Sequence, residues 1–154
     1  MERPKPYYCI NNELISYIHS GIGPEDWVIH CRDIAVFGEY TDSNGPYLDD
    51  YWLVFILKDG SILTGSFYGN GINLVNEKLS SIGFDVEYSL CDSADFNSNV
   101  IFPICLRGLK LYEFNRIAPS GGFFRRLFFS SEISINLTPA VISYLKIPVL
   151  PNTD

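Results

Sequence analysis

The strongest constraint in this chain is the unbroken apolar run Tyr51-Trp52-Leu53-Val54-Phe55-Ile56-Leu57. Its aromatic and branched residues are typical of a strand that is covered on both faces of a sheet. Lys58-Asp59-Gly60 follows directly, and Asp-Gly between two apolar runs favours a tight hairpin because glycine accepts a positive φ. The run therefore predicts a central strand with an antiparallel return strand over residues 61–68.

Helical periodicity appears in three segments. Residues 72–82 repeat apolar side chains at helical spacing, and Gly83 stands just past the last of them as a C-cap. A Thr-Pro pair opens a short helix over residues 138–146, with threonine as N-cap and proline at the first helical position. Residues 12–19 predict a two-turn helix near the start of the chain.

Alternation of apolar and polar residues predicts the remaining strands. Residues 27–41 form two short strands separated by a polar turn, with a bulge at Gly38. Gly65, in the return strand, leaves room for a large neighbour such as Trp52 or Phe55. Further extended segments are predicted at residues 86–90, 100–105, 109–114, 123–129 and 133–137, with a surface loop over residues 91–99.

These elements predict an α+β fold: a strongly bent antiparallel sheet of five to seven strands with one main helix packed on it. A single domain is expected, because 154 residues with 47% hydrophobic content fill one core. Pro119-Ser120-Gly121-Gly122 is the clearest break in the chain. It separates a main body, residues 1–118, from a C-terminal extension, residues 119–154, that packs on the sheet or on a partner.

Charge and composition exclude several classes. The charged fraction of 19% is too low for a disordered chain, and no apolar run reaches the roughly 20 residues that span a bilayer. The first residues lack the apolar core of a signal peptide, so a cytoplasmic location is expected. A net charge of −7 excludes a general nucleic-acid binder, since phosphate neutralisation dominates that binding.

The four cysteines, Cys9, Cys31, Cys91 and Cys105, contain no Cys-x-x-Cys pair. A zinc site is therefore not expected, and the thiols are predicted to be reduced. Cys9 and Cys31 lie in apolar strand sequence, where a free cysteine behaves as a small core residue. No cofactor, metal site or catalytic constellation is predicted.

Carboxylates cluster in sequence around the first loop and the hairpin. They are Glu39, Asp42, Asp49, Asp50 and Asp59. A solvated acidic surface is the simplest interpretation, and Asp42, Asp49 and Asp50 are the candidate binding residues. Paired carboxylates can also hold Mg²⁺, which leaves a metal-assisted hydrolase using Asp49 and Asp50 with Asp92 or Asp95 as an alternative.

The most unusual local sequence has four phenylalanines and two arginines in seven residues, 123–129. It fits a strand whose guanidinium groups stack on aromatic rings. It also fits an exposed contact surface for a protein partner or, less expected, for a membrane. The candidate binding residues in it are Phe123, Phe124, Arg125, Arg126 and Phe128.

One pattern begins with Trp27 and Ile34, and the resemblance that it carries covers roughly residues 27–114. It continues with Gly38-Glu39-Tyr40-Thr41, Gly45-Pro46-Tyr47, Asp49-Asp50-Tyr51-Trp52-Leu53-Val54-Phe55 and Ser66-Phe67-Tyr68. This pattern resembles a group of small uncharacterised bacterial proteins, a resemblance that implies a bacterial origin and a shared scaffold. At the level of the fold, the order of elements is similar to a pleckstrin-homology half-barrel, which by itself implies no function.

The sequence favours a non-enzymatic protein-binding module. An acidic single domain suits the neutralisation of a basic partner, as immunity proteins and antitoxins do. The partner is expected to be another protein or a second copy of the chain. A metal-assisted hydrolase and a peripheral membrane domain are the alternatives.

Overall fold

The computed structural model describes residues 5–19, 24–42, 49–91, 96–117 and 132–146. These residues form nine strands and two α-helices in the described part of the chain. In order they are β1 (Tyr7–Asn11), β2 (Leu14–Ile18), β3 (Trp27–His30), β4 (Ile34–Thr41), β5 (Tyr51–Leu57), β6 (Ile62–Ser66), α1 (Ile72–Ser81), β7 (Asn97–Phe102), β8 (Tyr112–Ile117), β9 (Glu132–Leu137) and α2 (Pro139–Leu145).

The strands form three antiparallel sheets. The central sheet has the order β6-β5-β4-β7, a meander β1-β2-β3 forms the second, and the antiparallel pair β8-β9 forms the third. The predicted central strand is confirmed, since β5 pairs with β4 on one side and β6 on the other. The α+β class with antiparallel sheets is confirmed as well. No helix in the described ranges is long and apolar enough to cross a membrane.

Both faces of the central sheet are buried. On one face Phe37 and Phe55 pack against the β1-β2-β3 meander and α1, with the Phe55 ring 5.1 Å from Trp27. On the other face Val36 and Val54 pack with Val141 of α2 in a second core cluster, which β8 completes. An antiparallel sheet in the middle of three layers explains why β5 is apolar at every position.

The predicted turn and main helix are confirmed. Gly60 has φ 89° in the β5–β6 turn, and Gly83 has φ 96° just after α1. Both values are in the left-handed region that glycine adopts at no steric cost. The predicted bulge is present too, because the β4–β7 register shifts between Phe37 and Gly38.

The predicted helix over residues 12–19 is wrong. Leu14–Ile18 is strand β2, which pairs with β1 and with β3. The connection to β1 is tight, with Asn11 opposite Leu14 and Asn12 in the left-handed region at φ 53°. Asparagine tolerates that conformation better than other non-glycine residues, and the two neighbouring strands satisfy the backbone that a short helix would have satisfied itself.

The predicted strand over residues 86–90 is also wrong, although the alternation it rested on is present. Val86 and Tyr88 are half-buried and Leu90 is buried, while Glu87 and Ser89 are exposed. The segment has no ladder partner in the described part of the chain, and the Ser89 N–H donates to a side chain instead. The alternating burial arises because this segment packs on the central sheet. The segment is not itself a strand of that sheet.

Two further expectations need correction. The predicted loop over residues 91–99 ends early, because β7 begins at Asn97 and Ser98 is buried against the backbone of Tyr112. Cys9 is exposed and not a core residue, since Tyr8 takes the inward position of β1. Cys31 is buried as expected, and all four cysteines are free thiols.

The neighbour of Gly65 is not Trp52 or Phe55 but the aromatic pair of the meander. A Cβ atom at Gly65 would overlap the Tyr8 hydroxyl oxygen and lie 3.1 Å from a Tyr17 ring carbon. The absence of a side chain lets the Tyr8 hydroxyl donate to the Ser66 carbonyl oxygen at 2.9 Å. Gly65 therefore sets the distance between β6 and the meander.

We expect Gly65→Ala to lower the free energy of unfolding by about 2 kcal/mol, because overpacking displaces the Tyr8 ring. Urea denaturation followed by circular dichroism measures this. In the Tyr8→Phe background, which lacks the clashing hydroxyl, Gly65→Ala should lower the free energy of unfolding by a smaller amount. Equal costs in the two backgrounds would show that the contact does not set the spacing.

Candidate functional site

The structure brings two of the predicted acidic residues together at one end of the central sheet. Asp42 directly follows β4 and Asp50 directly precedes β5. The Asp42 N–H donates to the Asp50 carbonyl oxygen at 2.9 Å, so the backbone pairing of β4 and β5 continues to this point. Both side chains are half-buried, as is that of Asp49.

Aromatic side chains hold these carboxylates. The Trp52 indole N–H donates to Asp42 Oδ2 at 2.9 Å, and the Tyr68 hydroxyl donates to Asp50 Oδ1 at 3.1 Å. Partial burial raises the pKa of Tyr68, and the hydrogen bond to Asp50 and the nearby charge of Asp49 raise it further. The phenol therefore keeps its proton, and Tyr68 is 51% exposed.

A fully buried carboxylate lies behind this acidic surface. Glu39 has no solvent exposure. Its Oε2 accepts a hydrogen bond from the Tyr51 hydroxyl. Its Oε1 accepts from the Ser89 N–H at 2.9 Å, the Ser89 hydroxyl at 3.0 Å and the Asn99 side-chain amide at 2.9 Å. Four donors replace the water that a buried carboxylate loses, which is the condition under which such burial is tolerated.

The strand register explains how these groups meet. Glu39 takes an inward position of β4, two residues after Phe37, and lies opposite Asn99 on β7 and Leu53 on β5. Tyr51 is two residues from Leu53, within diagonal reach across the strand pair. Ser89 approaches from the segment between α1 and β7. The prediction that Glu39 belongs to a solvated acidic loop is therefore wrong, because its strand position places it in the core.

Tyr51 connects the buried carboxylate to the surface. Burial raises its pKa far above the ordinary value, and the hydrogen bond and charge of Glu39 raise it further. Its ring stacks on Phe67 with a centroid distance of 4.1 Å and meets Tyr68 edge-on at 6.4 Å. The hydroxyl lies 4.0 Å from the sulfur of the exposed Cys91.

This arrangement is suited to positioning and not to proton transfer with a solute. Both oxygens of Glu39 are occupied by neighbouring donors, and the carboxylate does not face solvent. The network instead ties together β4, β5, β7 and the segment that carries Ser89. It fixes Tyr51, against which Tyr68 packs, and so determines where the exposed phenol lies relative to Asp50.

The remaining candidate residues are Asp59, which the structure describes, and seven residues that lie outside the described ranges. Asp59 lies at the opposite end of β5. Its carboxylate accepts a hydrogen bond from the Ser61 N–H at 2.8 Å, and this bond lowers the pKa of Asp59. No group of three potential metal ligands occurs among the described residues. The following candidates lie outside the described residues: Asp92, Asp95, Phe123, Phe124, Arg125, Arg126 and Phe128.

The sequence predicts the carboxylates of this surface but not the aromatic residues that organise them. Nothing in it marks Tyr68 as a contact residue, because an exposed tyrosine after a strand is common. The signal in the sequence is Glu39, a charged residue two positions after Phe37, on the same face of an otherwise uncharged strand. A buried charge of this kind requires several donors nearby.

We expect Glu39→Leu to lower the free energy of unfolding by about 3 kcal/mol or more, because it leaves the donors of Tyr51, Ser89 and Asn99 unpaired in the core. Glu39→Gln keeps a hydrogen-bond acceptor in the core and should lower the free energy of unfolding by a smaller amount. Urea denaturation gives both values, with the exposed Glu113→Gln as the control. A Glu39→Leu chain as stable as the unmodified one would contradict a positioning role for the network.

Tyrosine burial predicts a loss of stability in alkali. Burial, with a contribution from Asp42, raises the pKa of Tyr40 to about 12, and the pKa of Tyr51 is raised further. The unfolded chain releases these protons near pH 10, whereas the folded chain holds them. The contribution of these tyrosines to the free energy of unfolding is therefore fully present below about pH 10. It falls as the pH rises towards about 12. Urea midpoints between pH 9 and 11.5 measure this slope.

The slope should be smaller in Tyr40→Phe, which removes one of the retained protons. Absorbance at 295 nm should show tyrosinate from the buried rings only as the chain unfolds. A urea midpoint that does not change over this pH range would contradict the prediction.

No protein-family model, no curated protein and no solved structure matches this chain.

Proposed function

We propose that this chain is a non-enzymatic protein-binding module that holds a basic protein partner at the acidic end of its central sheet. The contact surface consists of Asp42, Asp49, Asp50 and Tyr68. The observation that carries the proposal is the half-exposed phenol of Tyr68, fixed by Asp50 on one side and by aromatic rings on the other.

Tyr68 has the properties of an interface anchor. Its ring packs edge-on against both Tyr51 and Phe67, at centroid distances of 6.4 and 5.8 Å, and its hydroxyl is held at 3.1 Å by Asp50. Tyrosine is enriched at protein interfaces. A side chain that is already ordered loses little conformational entropy on binding, so its contacts contribute more to affinity.

The charge of the surface supports a basic partner. The chain carries a net charge of −7. The ion pairs between described residues use Asp33, Glu13, Asp85 and Glu87, and neither Asp49 nor Asp50 takes part in one of them. Carboxylates of this kind accelerate and orient the encounter with a cationic protein.

A neutralising protein of the immunity or antitoxin type is the specific form of this function that we favour. Toxic nucleases and membrane-active toxins carry basic surfaces because their targets are anionic. An acidic module with a fixed aromatic anchor occupies such a surface by charge complementarity.

We expect Tyr68→Ala, and separately Asp49→Asn with Asp50→Asn, to weaken binding of the natural partner by about tenfold or more, as is usual for interface anchors. The immobilised chain captures the partner from a lysate of the cells that make it, and titration calorimetry on the isolated partner gives the affinity. Glu77→Gln and Glu113→Gln are exposed carboxylate controls elsewhere on the surface and should bind as the unmodified chain does.

The affinity should fall as the salt concentration rises from about 0.05 to 0.5 M, because the contact is between opposite charges at the surface. A partner that is acidic, or one that binds the Tyr68 and Asp49/Asp50 variants as tightly as the unmodified chain, would overturn the proposal.

A further inference from the structure

A groove of about 710 Å³ opens at the opposite end of the central sheet from the acidic surface. Its walls come from the start of β4, the turn after β5, the segment after α1, and the last turn of α2. The residues that line it include Arg32, Ala35, Lys58, Phe84, Phe102 and Lys146. The volume lies within the usual range of small-molecule sites.

The floor of the groove is apolar. Phe84 and Phe102 stack with parallel rings and a centroid distance of 3.8 Å, and Ile34 and Leu145 line the groove beside them. Cys31 contributes a thiol whose pKa is raised by burial. These surfaces suit the apolar body of a ligand and offer it little to hydrogen-bond with.

The rim of the groove is basic, in contrast to the chain as a whole. Arg32, Lys58 and Lys146 line it, together with one carboxylate, Glu13. Glu13 is already bound by the ammonium group of Lys78 at 2.6 Å.

Two of the three rim cations have no ion-pair partner among the described residues. Arg32 is 77% exposed and forms a long ion pair with Asp33, at 4.0 Å. The ion pairs between described residues include neither Lys58 nor Lys146. The groove therefore presents the unpaired charges of Lys58 and Lys146, with the weakly paired Arg32 beside them, above an apolar floor.

Backbone hydrogen bonds hold the segments that carry Lys58 and Lys146. The Lys58 N–H donates to the Asp33 carbonyl oxygen at 2.9 Å, which holds the turn after β5 against the turn before β4. Lys146 follows α2, and its N–H donates to the Ile142 carbonyl oxygen at 3.2 Å. The cations therefore come from three separate segments that the fold brings to one rim.

We propose that this groove binds a small amphipathic anion, a molecule with an apolar chain and one anionic head such as a medium-chain carboxylate. The chain lies on the floor formed by Phe84 and Phe102, and the head is held by Lys58, Lys146 and Arg32. Charge complementarity supports this class of ligand over a neutral or cationic one, and the site is distinct from the partner surface that contains Tyr68.

Titration calorimetry of the full chain with decanoate, below its micelle concentration, tests the inference. Lys58→Gln with Lys146→Gln should raise the dissociation constant at least about tenfold, which corresponds to about 1.4 kcal/mol. Ala35→Phe, which places a ring in the groove, should abolish binding. Lys5→Gln removes a cation outside the groove and should leave the affinity for decanoate unchanged.

Decyltrimethylammonium has the same chain with the opposite charge and should not bind. Four results would overturn the inference: no decanoate binding to the unmodified chain, equal binding of the cationic analogue, undiminished affinity in the Lys58 and Lys146 variant, or binding that persists in a folded Ala35→Phe chain. Binding to phosphatidylglycerol vesicles without binding of free decanoate would also overturn it, because it would indicate a membrane surface. Circular dichroism confirms that each variant is folded.

Discussion

The pairing of β4 with β5 is the constraint on which the rest of the structure depends. Their antiparallel register places Phe37 and Phe55 on one face of the central sheet and Val36 and Val54 on the other. Because both faces are apolar, each must be covered by another layer. The β1-β2-β3 meander with α1 covers one face, and the β8-β9 strand pair with α2 covers the other.

The same register makes a buried charge unavoidable. Side chains alternate along a strand, so a slip of one residue would exchange the two faces. With Phe37 facing the α1 side, Glu39 must face that side too, and four donors from Tyr51, Ser89 and Asn99 satisfy it. This network orders one end of the sheet, where the acidic surface and Tyr68 lie. The basic groove lies at the other end, so the sheet separates two regions of opposite charge.

The parts of the fold that the sequence predicted correctly are those in which local and long-range preferences agree. The apolar run of β5, the Asp59-Gly60 turn and the helical spacing of α1 each have one favourable local structure, and the core supports the same one. Residues 12–19 are different, because their short apolar pattern fits a helix or a strand. Pairing with β1 and β3 stabilises the strand over the helix.

By itself the sequence determined the central hairpin, the main helix, the class of fold and the acidic character of residues 42–50, since each follows from local backbone preference or from charge. Only the tertiary structure decided that Glu39 is buried, that Gly65 receives the Tyr8 ring, and that three cations from separate segments share one groove. These features depend on contacts between residues far apart in the chain. Such contacts are set by how the layers pack, and no local pattern records them.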